Sequence, residues 1–448
     1  MSGDTSTRVG ESASFGRIGE YAGKMGPSWI AGAIAAGPAS MATLVTAGAT
    51  FGYALLWVVV LSALAGTLAQ YLSMRLGLLT ETGIVSAVET HLGEGWAWVL
   101  VADAVLAAGL AQLVIMKTLA DVSETVTGVD ARLWGVAWAL ILAVGLAGRG
   151  YRFLEIVAKV LVTAVVIAFL ASLVVVPVDV GSAAGGIVPT LPGGLDSAIV
   201  AAGILGGAVH ITLVTMHTYT MRARGWTARD YGLATFDVGS SMLVAFGIYS
   251  LAVFLVAASV LHSPEVAASD LTAISASQAL GPLVGPAAEW LFLLGLWAAA
   301  VSTLGGNTIV PPYLVADKLG WGTDVSDSRY RGLLVAVALI SAAGAFIGGA
   351  FFPLLVLVLA FGLVGTPFAL LVVLYLLNSD AVPEPNSRLA NAGGVALVGI
   401  TAVLAGNFIR EQVASGLGGL SGFVVAFAAV MALSMLALIG KFLRSRYT

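Results

Sequence analysis

Between Ala31 and Thr50 the chain reads AGAIAAGPASMATLVTAGAT, an apolar stretch of bilayer-spanning length with Gly37-Pro38-Ala39-Ser40 at its centre. Proline at that depth removes a backbone donor and clashes with the preceding turn, so the helix should kink or unwind there. Broken backbone inside a membrane is tolerated only where it is buried in protein or lines a water-filled cavity. This stretch therefore predicts a pathway through a helical bundle. The same small residues, Ala36, Gly37 and Ser40, also suit a face on which helices pack closely.

The rest of the chain agrees with the class. It has 448 residues, 59% hydrophobic and only 10% charged, and its repeated apolar runs predict an all-α polytopic membrane protein. Cysteine is absent and there are four histidines, which excludes disulfides, thiolate metal ligands and cysteine nucleophiles and leaves little for a multi-histidine centre. No P-loop, H-E-x-x-H or G-x-S-x-G occurs, so neither an enzyme nor ATP-driven transport is expected. Neither a cofactor nor nucleic acid is expected, and the first apolar run is too long and interrupted for a cleavable signal peptide.

The runs and their punctuation predict about twelve spans, beginning near Ser28, Tyr53, Trp96, Leu133, Leu154, Ser197, Ser240, Val284, Leu333, Phe352, Leu389 and Gly422. Placing the N-terminus and alternate connections in the cytoplasm gathers Arg8, Arg17, Lys24, Arg75, Arg149, Arg152, Arg222, Lys318, Arg388, Lys441 and their basic neighbours there. Arg132 and Arg410 are left outside. Both termini are then cytoplasmic, and the cell membrane is the expected location.

With the first span starting inside, the sixth starts outside, and spans 1–5 can map onto spans 6–10 with inverted topology. The expected organisation is a cytoplasmic segment over 1–27, repeats over 28–177 and 197–378 separated by an extracellular loop over 178–196, and two C-terminal helices with a tail over 379–448. The sixth span carries a glycine pair, Gly206-Gly207, and then His210, Thr212, Thr215 and His217 in an apolar helix. Two interrupted segments in corresponding positions point to a substrate site. On a continuous helix His210 and His217 share a face and the threonines point elsewhere, so unwinding near Ile211 is needed to converge them. Lys117 and Asp121, like Glu155 and Lys159, stand four apart as internal ion pairs or helix anchors.

Gly37-Pro38-Ala39-Ser40-Met41-Ala42-Thr43 through Gly48-Ala49-Thr50-Phe51-Gly52-Tyr53 resembles the first helix of the Nramp metal-ion transporters, whose signature is Asp-Pro-Gly-Asn followed by Gly-Ala-x-Phe-Gly-Tyr. Gly148-Arg149-Gly150-Tyr151-Arg152-Phe153-Leu154-Glu155 is similar to the entry of that family's fifth helix, Gly186-Ile187-Val188-Pro189-Thr190-Leu191-Pro192 to the loop before its sixth, and Pro367-Phe368-Ala369 to its tenth. The resemblance implies a LeuT-type fold and a secondary transporter of a divalent metal ion. It also implies a substrate site at Gly37, Ala39, Ser40, Val209, His210, Thr212 and Thr215.

The departures fall on the family's chemistry. Gly37 and Ser40 replace its metal-binding Asp and Asn, and His210-Ile211-Thr212 replaces Met-Pro-His. Gly109 and Gln112 stand where the third helix has the acids associated with proton movement, while His217 matches a family histidine. A dehydrated divalent cation needs compensating charge that these neutral groups do not offer. Without the Met thioether, soft metals lose their preference. The expected ligand is a partly hydrated Mg²⁺- or Mn²⁺-type ion at His210, Ser40 and Thr212, with weak or absent proton coupling through His217, Gln112, Lys117 or Asp121. A neutral, zwitterionic or organic solute on the same fold, or a non-transporting sensor, is the alternative. If the ion sits there, Gly37→Asp should raise divalent affinity.

Overall fold

In the computed structural model, which describes Tyr21, Lys24 and residues 26–263, 271–281 and 285–447, the apolar runs form helices, and no strand occurs among the described residues. The first span is two pieces, α1 (Pro27–Ala35) and α2 (Pro38–Phe51). A turn at Gly52 leads to α3 (Leu56–Thr80), a short α4 (Ile84–His91), α5 (Glu94–Thr127) and α6 (Ala131–Val175). The sixth span is also two pieces, α7 (Leu195–Val209) and α8 (Ile211–Ala223). The seventh joins α9 (Tyr231–Val238) to α10 (Gly247–Val260) through a π-helical stretch. There follow α11 (Ala288–Thr308), α12 (Val310–Lys318), α13 (Ser328–Ile340), α14 (Phe351–Val364), α15 (Thr366–Leu376), α16 (Arg388–Ala414) and α17 (Gly419–Tyr447).

Among the described residues, ten segments are long and apolar enough to cross a bilayer. One of them, Pro38–Thr80, reverses at Gly52, whose φ of 55° favours glycine, and so carries two crossings. α6 runs for 45 residues, about 68 Å of helix against a hydrocarbon core of about 30 Å. Near its start Trp134 and Trp138 share a groove with Ala287, and beyond its end Val176 clusters with Ala279. Of α6, Ala131–Gly148 is one of the ten candidate crossings. The side chains of Arg149, Arg152, Glu155 and Lys159, like Arg8 and Arg17, lie outside the described residues.

The seventh span starts earlier than the sequence suggests, at Tyr231 rather than near Ser240, because Asp237 is absorbed as an acceptor. Its Oδ1 takes the N–H of Gly26 (2.8 Å) and its Oδ2 that of Ser28 (2.7 Å), so it caps α1 from a neighbouring helix. Ser241 adds a 2.6 Å bond to the Ser28 carbonyl. The basic residues gather at this end of the bundle. Lys318 pairs with Glu89 and Glu94 (3.1 and 3.4 Å) and Lys441 donates to the Leu92 carbonyl (2.7 Å). Arg75 reaches the Glu384 and Pro385 carbonyls, both at 3.3 Å. Arg132, over the ring of Phe346, stands at the opposite end.

The two broken spans lie at the centre. α2 packs on α7 and α1 on α8, the antiparallel crossing expected of inverted repeats. Ser197–Ala223 is the most deeply buried of the candidate spans; α14 packs on α2 and α7, and α11 on both halves of the first span.

Candidate functional site

Both breaks are built by the residue at the break. α1 closes with the Ala36 N–H on the Gly32 carbonyl (2.8 Å) and the Gly37 N–H on that of Ile34 (3.2 Å). Gly37 is extended (φ −76°, ψ 178°), and Pro38 opens α2 at its first position, where a missing N–H costs nothing. The sixth span reaches the same result without proline. His210 (φ −53°, ψ 141°) ends α7 and caps α8, with Nδ1 3.0 Å from Thr212 Oγ1 and 3.4 Å from the Thr212 backbone nitrogen. Capping makes Nδ1 the acceptor of the Thr212 N–H, and the Thr212 hydroxyl donates to the same nitrogen, which fixes the ring.

Small residues then allow the pieces to meet. A side chain at Gly207 would sit 2.5 Å from Ser40 Oγ, and one at Gly206 would strike the Leu359 carbonyl of α14. On α14, a side chain at Gly362 would fall on the His210 imidazole, and one at Gly365, just beyond its end, on the Asp103 carboxylate. The break and the close-packing face are thus both real, and they share residues.

What the pieces enclose is a cavity of about 20 Å³, enough for one water or one ion, since a single water needs roughly 10–15 Å³. Gly37, Ala39, Gly207, His210 and Thr212 line it from the broken spans, and Thr303 and Asn307 line it from α11. Every polar group in that set is neutral or an imidazole, and among the described residues no cluster of three His, Asp or Glu side chains could hold a metal. His210 Nε2 and Ser40 Oγ are buried without a hydrogen-bond partner, the condition that marks a place for a ligand or water. A network sets Asn307. Its Nδ2 donates to the Ala108 carbonyl (2.7 Å) and to Gln112 Oε1 (3.1 Å), while Gln112 Nε2 donates to Thr308 Oγ1 (2.5 Å). With both N–H groups turned to α5, Oδ1 is left as the acceptor.

Of the residues expected from sequence, Gly37, Ala39, His210 and Thr212 converge on this cavity. Ser40 lies beside it against Gly207, and the Val209 carbonyl accepts from Thr366 Oγ1 (3.0 Å). Thr215 stands a turn further along, donating to the Ile211 carbonyl (3.0 Å). The break is one residue wide, so it gathers His210 and Thr212 but leaves Thr215 and His217 off the cavity lining. Both His217 ring nitrogens are buried and unpartnered. Gln112 is held in the network with α11, and Lys117 pairs with Asp121 at 2.8 Å. The Gly37→Asp change meets an obstacle, because a Cβ there would fall on the Thr303 hydroxyl and 2.9 Å from the Ile34 carbonyl.

Three groups escaped the sequence reading. Thr303 and Asn307, four apart in a mostly apolar span, carried a usable signal: polar side chains on one helical face at bilayer depth. Asp103 carried a stronger one, as a lone carboxylate within the third span. It is 1% exposed and neither oxygen has a partner, so an ionised form there is costly.

A family model described as natural resistance-associated macrophage protein-like matches residues 28–411. The divalent metal cation transporter MntH of Klebsiella pneumoniae (strain 342) is 32% identical over 323 residues, covering 69% of this chain and 77% of that protein. The manganese transporter of Eremococcus coleocola, solved with an aromatic bis-isothiourea substituted compound, superimposes with a TM-score of 0.75 at 17% identity, covering 97% of this chain and 96% of the other. A nucleobase-cation-symport-1 family transporter, closed around bromovinylhydantoin, shares the architecture more distantly, with a TM-score of 0.52 at 17% identity and 93% of each chain covered.

Proposed function

The chain belongs to the Nramp family, and from that premise we propose a secondary transporter that moves a hard divalent cation of the Mg²⁺ or Mn²⁺ type by alternating access. The fold is the LeuT type, two inverted five-helix repeats and two further helices in a lipid bilayer. The observation that carries the substrate is the cavity at the double break: about 20 Å³, lined by His210, Thr212, Thr303 and Asn307. That volume suits an ion and disfavours an organic solute in this closed form. The carbonyl ends of α1 and α7 face the breaks, and helix C-termini favour cations. Neutral donors bind such ions weakly, so a Kd on the order of 0.1–1 mM is expected.

Proton coupling in this reading is weak. The cavity holds no acid, Gln112 is committed to Asn307 and Thr308, and His217 stands off the lining. Asp103, buried with both carboxylate oxygens unpartnered, is the carboxylate this reading assigns to any residual proton movement. The positive-inside rule assigns the end bearing Arg75, Lys318 and Lys441 to the cytoplasm and with it both termini, and the cell membrane is the proposed location. The proposed organisation keeps the repeats at 28–177 and 197–378.

Proteoliposomes loaded with a Mn²⁺ indicator and a pH dye test this directly. Saturable Mn²⁺ entry with little acidification is expected, lost in His210→Ala, and any residual acidification should vanish in Asp103→Asn. Absence of entry for both Mn²⁺ and Mg²⁺ would overturn the metal reading. Robust acidification that survives Asp103→Asn and vanishes in His217→Ala would overturn the coupling reading.

A further inference from the structure

Position 37 is where the family resemblance puts a metal-binding carboxylate and where this chain has no side chain. The space is not empty. A Cβ built on Gly37 would fall on Thr303 Oγ1 and lie 3.0 Å from Thr303 Cγ2, so the α11 side chain stands where a side chain of the first span would project. Thr303 is buried, 3% exposed, and lines the cavity together with His210 and Asn307. Its neighbour one turn on, Asn307, has its amide hydrogens drawn to α5 by Ala108 and Gln112, which leaves the carbonyl oxygen to accept.

We infer that the ligand role of the first span has passed to α11, with Thr303 supplying a neutral oxygen to the cation from the place a side chain at position 37 would occupy and Asn307 Oδ1 supplying a second. This rests on the reading of the site as one for a divalent cation. Hydroxyl and amide oxygens are hard donors that suit Mg²⁺ or Mn²⁺ and give no advantage to soft ions. A side chain at position 37 would have to displace Thr303 and crowd the Ile34 carbonyl, so added charge is better accommodated at position 303.

The test is Mn²⁺ titration of the full-length protein in lipid nanodiscs, with a thermal melt of each variant as the measure of folding. Thr303→Val keeps the shape and removes the oxygen, Thr303→Ser keeps the oxygen, and Thr303→Asp adds charge. Affinity should fall roughly 10- to 100-fold in Thr303→Val, stay within about threefold in Thr303→Ser, and rise in Thr303→Asp, with the melts of the valine and serine variants close to that of the unaltered protein. Thr303→Val binding Mn²⁺ as tightly as the unaltered protein would overturn the inference and leave the cation reading standing. Failure of the unaltered protein to bind Mn²⁺ or Mg²⁺ would overturn the cation reading, and the ligand role of Thr303 with it.

Discussion

At the scale of single residues, Gly362 and His210 show how closely the site is fitted. The imidazole lies where any side chain at position 362 would stand, so the glycine is required by space and not by backbone angle. Gly362→Ala should displace the ring and cost about 1–3 kcal/mol of overpacking, seen as a lower melting temperature. His210→Ala in the same chain should restore most of it, because contacting residues couple and a double-mutant cycle isolates their term. Additive losses would mean that the ring does not sit against α14. This pairing was invisible in the sequence. Position 362 is one glycine among 55, and nothing local distinguishes it from the others. His210 was legible, since an imidazole in an apolar span has few structural excuses, and so in principle was Asp103.

At the scale of elements, proline and histidine reach one geometry by different means. Pro38 breaks the first span by lacking a donor, and the sequence announces it. His210 breaks the sixth by capping α8 with its own ring, a side-chain act that periodicity does not reveal, and so its single-residue width was legible only in the fold. Asp237 has a comparable hidden role. Its two bonds to Gly26 and Ser28, more than 200 residues away in the chain, hold the start of α1 to the seventh span. Alternating access requires such a half-helix to move, so Asp237 should set how readily α1 opens. The absence of native cysteine makes this measurable with Ala31→Cys, a position that is fully buried in α1. Thiol labelling at position 31 should be slow alone and at least about tenfold faster with Asp237→Ala, since each hydrogen bond to a charged group contributes about 1.5–3 kcal/mol. An unchanged rate would show that α1 is held by packing alone.

At the scale of the whole molecule, the architecture was the most legible part. Apolar runs mark the crossings, and two interruptions five spans apart reveal the inverted repeat, because the bilayer leaves few other ways to satisfy a backbone. The ligand set was less legible for a physical reason. It is assembled from three helices that are distant in sequence, and the α11 contribution becomes visible only where Thr303 meets the gap at Gly37. The central claim is that one divalent cation sits in the cavity at the double break, held by neutral groups. Crystals of the full-length protein grown with millimolar Mn²⁺ and measured for anomalous scattering test it most directly. The account predicts one peak between Gly37, His210 and Thr303, absent from crystals of Thr303→Val at the same concentration. An ordered, Mn²⁺-soaked crystal with no peak there, or with its peak at a different place in the bundle, would contradict it.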